Sequence, residues 1–398
     1  MIFSIVIPAY NEEDAVVDIL RRSLAAAAKL KAAGLGLDEV EVILVNDGSR
    51  DKTAERARSV RGAKVVDHPV NKGYGAAIKT GFAAARGEWL GFLDSDGTCD
   101  PLFFIDLLTL ADKDGLDVAV GSRMHPSSRM PRVRIVGNWL FRTLVNLIGG
   151  TNLTDVASGM RVMKASALKR LAPLPNGMNF TPAMSVRAAL DSRLKMGEIF
   201  MPYEERVGRS KLSVIRDGFR FLGIILDTAV TFRPLMFFGT AAGVLFFIAA
   251  WSLCSRWTAS SAPIPFYLEN HRVEDWMIFR VIFATVLLSS AAFLTALGAT
   301  AQSLVAIINE DDKPTSGRRL VDAVLTYNFL PWSAFCFAAA LVLNRRLLAS
   351  YFETGHIPTD YWVFPLVGSL LALTGVEFLA FGLMSRITRL LAERRRWS

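Results

Sequence analysis

The 398-residue chain has few of the residues that build disulfide frameworks or zinc sites. Its three cysteines, Cys99, Cys254 and Cys336, lie far apart, so neither a disulfide scaffold nor paired zinc ligands are expected. The four histidines are also dispersed, which argues against zinc chemistry. No internal repeat and no low-complexity tract is found. The stretch from Met1 to Pro8 runs directly into a strand pattern without a basic leader, so no secretory signal is expected there.

Charge and apolar residues are unevenly distributed. The formal net charge is +8, and many basic residues flank apolar runs, which points to a membrane surface and away from nucleic acid. Hydrophobic residues make up 52% of the chain, too many for a wholly water-soluble enzyme. Residues 1–232 have a mixed globular pattern, and long apolar runs begin beyond Pro234. Four membrane helices are expected near 235–254, 277–303, 327–348 and 361–385. The third is the weakest, because its apolar run ends at Asn344-Arg345-Arg346.

The connection with Lys313, Arg318 and Arg319 and the tail with Arg394, Arg395 and Arg396 are the most basic. With four spans both share the side of the N-terminal domain. The positive-inside rule therefore predicts a multi-pass cell-membrane protein with that domain on the cytoplasmic face. Arg345 and Arg346 then fall outside. Before the first span, Phe219, Phe221, Leu222, Ile224, Ile225 and Leu226 mix with Arg216, Asp217 and Arg220. That pattern suits a helix in the headgroup layer, or else a core helix of the soluble domain. The expected division is a catalytic domain over 1–210, interfacial amphipathic helices over 211–233, a transmembrane domain over 234–386 and a basic cytoplasmic tail over 387–398.

In the first half, strands are read at Ile2–Ile7, Val40–Val45, Ala63–Asp67, Trp89–Leu93 and Val118–Val120. Helices are read near 12–33, 51–60, 74–86 and 101–113. This alternation predicts an α/β fold with a Rossmann-like, mainly parallel sheet covered by helices on both faces, followed by an all-α membrane bundle.

Ligands of such sheets bind at the carboxyl ends of the strands. There the sequence places Pro8-Ala9-Tyr10-Asn11-Glu12, Asn46-Asp47-Gly48-Ser49, Asp94-Ser95-Asp96-Gly97 and Gly121-Ser122-Arg123. Asp94 and Asp96 form a pair suited to Mg²⁺ or Mn²⁺ against a diphosphate, although an isolated Asp-x-Asp is more often a turn. Asp100-Pro101 reads as a helix start. Asp47 is either part of an Asx turn or an acceptor for a nucleotide base or ribose. Asn71-Lys72-Gly73-Tyr74-Gly75 opens a helix, either as a phosphate loop or as a plain loop-to-helix junction.

These stretches, with Asp155-Val156-Ala157-Ser158-Gly159 and Arg206-Val207-Gly208-Arg209-Ser210-Lys211-Leu212, resemble the family 2 glycosyltransferases of GT-A fold over roughly residues 5–222. Among these the sequence is most similar to the polyprenyl-phosphate glycosyltransferases, of the dolichyl-phosphate mannose synthase kind. The resemblance implies inverting transfer of a hexose from a nucleotide-sugar to a polyprenyl phosphate, with Mg²⁺ or Mn²⁺ as cofactor. It implies nucleoside contacts for Pro8, Tyr10, Glu12 and Asp47, with Lys72 on the same side. It implies diphosphate and metal contacts for Asp94 and Asp96, and lipid-phosphate contacts for Arg123, Ser158 and Arg206. Thr98 stands where the mannose synthases carry a glutamine ligand, so the metal shell and the sugar choice are expected to differ.

A phosphate monoester is largely dianionic at neutral pH and is already a nucleophile, so positioning and charge handling should carry the catalysis. Arg134 and Lys211 join the acceptor-phosphate candidates among a basic cluster that also serves anionic headgroups. Asp155 is read as a catalytic candidate with three roles open: orienting a sugar hydroxyl, acting as a base, or binding an arginine. A homo-oligomer is compatible with this reading. Two rivals exist, a processive polysaccharide synthase and a lipid-linked sugar carrier. The first needs Gln-x-x-Arg-Trp, whose only lookalike is Glu393-Arg394-Arg395-Arg396-Trp397. The second does not need the Asp pair.

Overall fold

The computed structural model describes residues 1–205, 214–255, 262–270, 274–308, 328–355 and 363–397. The chain divides into two units, Met1–Ala229 and Val230–Ser398.

The first unit is built on β1 (Ile2–Ala9), β2 (Glu39–Asn46), β3 (Ala63–Asp67), β4 (Trp89–Phe92), β5 (Val118–Ser122), β6 (Arg161–Lys164) and β7 (Met196–Phe200). Side chains alternate across a strand, and β1 shows the consequence. Phe3, Ile5 and Ile7 pack on one face of the sheet with α1 (Val16–Ala32) and α4 (Phe103–Lys113). Val6 points to the other face, toward α3 (Tyr74–Ala84) and α7 (Phe180–Leu190). These four β1 side chains are fully buried, each contributing about 1.5–3 kcal/mol. Ser4, on the Val6 face, is satisfied by donating to Glu41 Oε1 at 2.6 Å.

The strand order is β3-β2-β1-β4-β6-β5-β7. All pairings are parallel except those of β6, which runs antiparallel to β4 and β5. Strands β6 and β7 do not stand out in the sequence, because each is four or five residues long and mixes Arg161, Lys164 or Glu198 with apolar residues. The order reverses between β1 and β4, which makes their carboxyl ends the topological switch point. Helices α2 (Thr53–Arg58), α5 (Arg132–Gly149), α6 (Ala165–Leu171) and α8 (Val214–Phe232) complete this unit, the last running into the second.

The second unit contains α9 (Pro234–Cys254), α10 (Pro263–Asn270), α11 (Asp275–Ile308), α12 (Phe329–Thr354) and α13 (Val363–Trp397). Four stretches are long and apolar enough to cross a membrane: Pro234–Cys254, Asp275–Ile307, Phe329–Thr354 and Phe364–Thr388. The third has the lowest mean hydropathy, 1.3, in keeping with the break at Asn344-Arg345-Arg346. Small residues allow close packing, and Ala296 and Ala299 meet Leu235, Phe378 and Phe381. Phe246, Phe247 and Phe279 are exposed, as lipid-facing side chains are. Helix α13 continues to Trp397, so the basic tail beyond 387 extends the last helix.

Candidate active site

Backbone ties bring the strand ends together. Asn11 N donates to Ser49 Oγ at 2.9 Å, and Arg50 N donates to Asn11 Oδ1 at 2.8 Å. These two bonds join the segment after β1 to the turn after β2. Asp47 is buried and accepts from Lys72 N and Gly73 N, both at 2.8 Å, and from His68 Nδ1 at 2.7 Å. His68 Nε2 lies 2.9 Å from Thr80 Oγ1. Asp47 therefore holds the loop that opens α3. Gly73 has φ of +101°, and a Cβ there would press on the Asn176 carbonyl. Only glycine fits that approach.

Beyond β4, Asp94 Oδ1 accepts from the Tyr74 hydroxyl at 2.7 Å. Burial and the Asp94 charge hold the Tyr74 phenol well above its usual range, so it stays a donor. A Cβ on Gly159 would overlap the Asp94 carboxylate, so the floor beneath Asp94 has to be glycine. Asp96 Oδ1 accepts from Thr98 N at 3.2 Å and from Thr98 Oγ1 at 2.7 Å. Thr98 is buried and serves to aim Asp96.

Beyond β5, Arg123 meets Asp155 as a fork, with Nε to Oδ2 at 2.6 Å and Nη2 to Oδ1 at 2.8 Å. Arg123 N and Ala157 N also donate to Asp155, each at 3.1 Å. Burial opposes ionisation of Asp155, but the guanidinium and the two backbone donors outweigh it, and its pKa lies below the ordinary carboxylate range. The Arg123 guanidinium lies 6.0 Å from the centre of the Tyr203 ring, whose hydroxyl accepts from Arg134 Nη1 at 3.2 Å. Glu198 anchors the same loop, accepting from Thr154 N, Thr154 Oγ1 and Asp155 N. Burial raises the Glu198 pKa, partly offset by those donors. Arg161 is fully buried on β6, and it donates to Ser158 O at 3.1 Å and Val156 O at 3.0 Å. Burial pushes its pKa down to about 10.

One cavity of about 540 Å³ joins these groups, a volume typical of small-molecule sites. Its lining includes Pro8, Tyr10, Glu12 and Asp47 from the ends of β1 and β2, Asp94 and Asp96 from beyond β4, Arg123 from beyond β5, and Arg134 on α5. Three expected site residues are not in the lining. Asp155 has a fully buried side chain, with both oxygens bonded to Arg123. Ser158 is fully buried and donates to Gly121 O at 2.5 Å. Lys72 is exposed, and its backbone serves Asp47. Arg206 and Lys211 lie outside the described residues.

His68, Tyr74, Asn138, Arg161, Glu198 and Tyr203 were not singled out from sequence. Tyr74 sits inside a quoted motif, but its partner is 20 residues away and comes into reach only through the fold. Among the described residues no three His, Cys, Asp or Glu side chains form a metal-holding group. Two carboxylates lining a cavity fit a hard divalent ion that takes its remaining ligands from water and substrate phosphate.

A doubly wound sheet with carboxylates and guanidinium groups gathered at its switch point has the crevice in which α/β enzymes bind their ligands. Residues 4–172 match the sequence profile of glycosyl transferase family 2. The chain is 31% identical over 255 residues to the low-salt glycan biosynthesis hexosyltransferase of Haloferax volcanii, covering 63% of this chain and 59% of that one. It is 31% identical over 248 residues to the undecaprenyl-phosphate 4-deoxy-4-formamido-L-arabinose transferase of Pseudomonas paraeruginosa, covering 60% of this chain and 68% of that one. It is 28% identical over 247 residues to the dodecaprenyl-phosphate galacturonate synthase of Rhizobium johnstonii, covering 60% and 70%. The chain belongs to glycosyl transferase family 2.

Proposed function

We propose that the protein is an inverting, metal-dependent transferase that moves a hexose from a nucleotide-sugar to the phosphate of a polyprenyl-phosphate lipid. The observation that carries this reading is one cavity lined both by the carboxylate pair that follows β4 and by two arginines that follow β5. The carboxylates suit a metal-bound diphosphate and the arginines suit a second, separate phosphate. Two relatives are named for undecaprenyl- and dodecaprenyl-phosphate chemistry, which supports the lipid acceptor.

In this reading Pro8, Tyr10, Glu12 and Asp47 receive the nucleoside, with Lys72 at the rim. Asp94 and Asp96 hold Mg²⁺ or Mn²⁺, which when bound neutralises charge on the departing diphosphate. Arg123 and Arg134 receive the acceptor phosphate, joined by Arg206 and Lys211. One phosphate oxygen attacks the anomeric carbon from the face opposite the nucleotide. The bond from that carbon to the diphosphate oxygen breaks, and the nucleoside diphosphate leaves with the electron pair. The configuration at the carbon inverts, and no proton has to move, because the acceptor is already a dianion. Asp155 acts by fixing Arg123, and Ser158 by fixing the end of β5. In this reading the four apolar helices span the cell membrane, and the basic connection and tail favour the cytoplasmic side for the catalytic unit.

The test offers a panel of labelled nucleotide-sugars with polyprenyl phosphate and Mg²⁺ or Mn²⁺. A chloroform-soluble labelled product from one sugar supports the reading. A long polymer would favour a processive synthase, and binding without turnover a carrier.

A further inference from the structure

The fold itself occupies most of the Asp47 carboxylate. The side chain is 3% exposed and lines the cavity. Its Oδ1 accepts from His68 Nδ1 at 2.7 Å and from Lys72 N at 2.8 Å, and its Oδ2 accepts from Gly73 N at 2.8 Å. A carboxylate has about four acceptor positions, two on each oxygen. Among the described residues three are taken, both on Oδ1 and one on Oδ2, so one position on Oδ2 remains. The bond from His68 decides the count. His68 follows β3, is buried, and is not in the cavity lining. Its backbone N donates to Asn46 O at 2.9 Å, and Nε2 lies 2.9 Å from Thr80 Oγ1. These two contacts fix the ring and keep Nδ1 on Oδ1.

The bases differ in what they ask of such a group. Uracil and thymine present one N–H between two carbonyls. Guanine presents two adjacent donors, N1–H and N2–H, which pair with a carboxylate through one open position on each oxygen. Cytosine presents a ring-nitrogen acceptor beside its amino group, and that acceptor is repelled by a carboxylate oxygen. With Oδ1 filled, Asp47 suits a single N–H donor. Asn71 extends the match. It lines the cavity, and its amide donates one N–H to the Asp47 carbonyl at 3.2 Å, which leaves the second N–H for a carbonyl flanking the base N–H.

We propose that the base of the donor nucleotide is an imide pyrimidine, uracil or thymine, selected by the single acceptor position that His68 Nδ1, Lys72 N and Gly73 N leave on Asp47. The inference rests on the reading above that Asp47 receives the nucleoside. His68 is a positioning residue, which acts on the base by filling Oδ1. A guanine donor buried against a filled oxygen is left unpaired, and its affinity falls accordingly.

The test titrates the detergent-solubilised full chain by calorimetry with uridine, thymidine, guanosine and cytidine diphosphates, in the presence of Mg²⁺ or Mn²⁺. The uridine or the thymidine compound should bind at least about tenfold more tightly than the other two classes, and comparing those two identifies the base. Equal affinities, or a preference for guanosine or cytidine diphosphate, overturn the proposal and leave the nucleotide-sugar reading standing. Binding of none of the four overturns that reading, and this proposal with it. His68→Ala vacates a position on Oδ1 and should reduce the preference over guanosine diphosphate at least about threefold. His68→Asn supplies an amide N–H close to the place of Nδ1 and should retain the preference. A His68→Ala variant with a normal unfolding midpoint and the full wild-type preference overturns selection through Asp47. The wild-type titration decides the base even where that variant is unstable.

Discussion

The Arg123–Asp155 pair makes the sharpest demand on the structure. The Asp155 side chain has no exposure and accepts four hydrogen bonds, two from the Arg123 guanidinium and two from backbone N–H groups of Arg123 and Ala157. Asp155→Ala leaves a largely buried guanidinium without its carboxylate and strands the Ala157 N–H. Breaking a buried ion pair in this way costs about 3–5 kcal/mol. The unfolding midpoint of the detergent-solubilised protein, followed by tryptophan fluorescence, should fall accordingly. The pH dependence has a definite sign. The folded-state pKa of Asp155 lies below its unfolded value, so the pair's contribution is fully present above about pH 4 and is lost as pH falls through the folded value. Wild type should show this acid-side loss of stability, and the variant should lack that component. Asp155→Asn separates positioning from catalysis. If Asp155 positions Arg123, the variant is destabilised and uses the acceptor poorly, with a raised KM. Abolished turnover with stability and acceptor KM both unchanged would refute the positioning role and restore Asp155 as a base.

Asp96→Ala, or treatment of wild type with a chelator, should remove nearly all transfer while the fold persists; full activity in either case would defeat the metal assignment. Tyr74→Phe removes a hydrogen bond to a carboxylate worth about 1.5–3 kcal/mol, so turnover should drop about tenfold or more with little change in acceptor KM. Arg206→Ala should weaken use of the lipid acceptor by about tenfold or more and leave nucleotide-sugar affinity, measured by calorimetry, nearly unchanged. Single cysteines at positions 316 and 392 should resist labelling from outside the cell, and one at 260 should react. A reactive tail would mean an odd number of spans.

The N-terminal half of the sheet was legible because its strands are apolar runs that end in polar clusters. Parallel strands buried on both faces have to be continuously apolar, and Ile43, Leu44 and Val45 of β2 are all fully buried. The half beyond β5 was not legible, for a physical reason. Strand β6 is antiparallel and central, and its first residue, Arg161, is a fully buried cation that donates Nε and Nη2 to loop carbonyls. A charged residue at a strand start reads as a surface position, so the pattern pointed the wrong way. Helix α5 failed to register for a related reason, since Val136, Trp139, Leu140 and Leu147 are exposed while Asn138 is buried beside Val145 and Ile148, so hydrophobicity does not mark its inward side.

The candidate site divides along the same line. The motifs placed Tyr10, Asp47, Asp94, Asp96 and Arg123 around one crevice, because each follows a strand at the carboxyl edge of the sheet. The pairings that aim them were not legible, because the partners are distant in sequence: His68 lies 21 residues from Asp47, Tyr74 20 from Asp94, and Asp155 32 from Arg123. Chemistry-bearing residues at strand ends are local features that a sequence displays directly. Residues that hold them are chosen by tertiary contact, and Asp155, conspicuous in its motif, proves to be one of these. An acidic residue in a family motif therefore needs its burial and its partner before it needs a catalytic role. Here two arginine nitrogens and two backbone N–H groups already occupy the carboxylate, and it is Arg123, not Asp155, that lines the cavity.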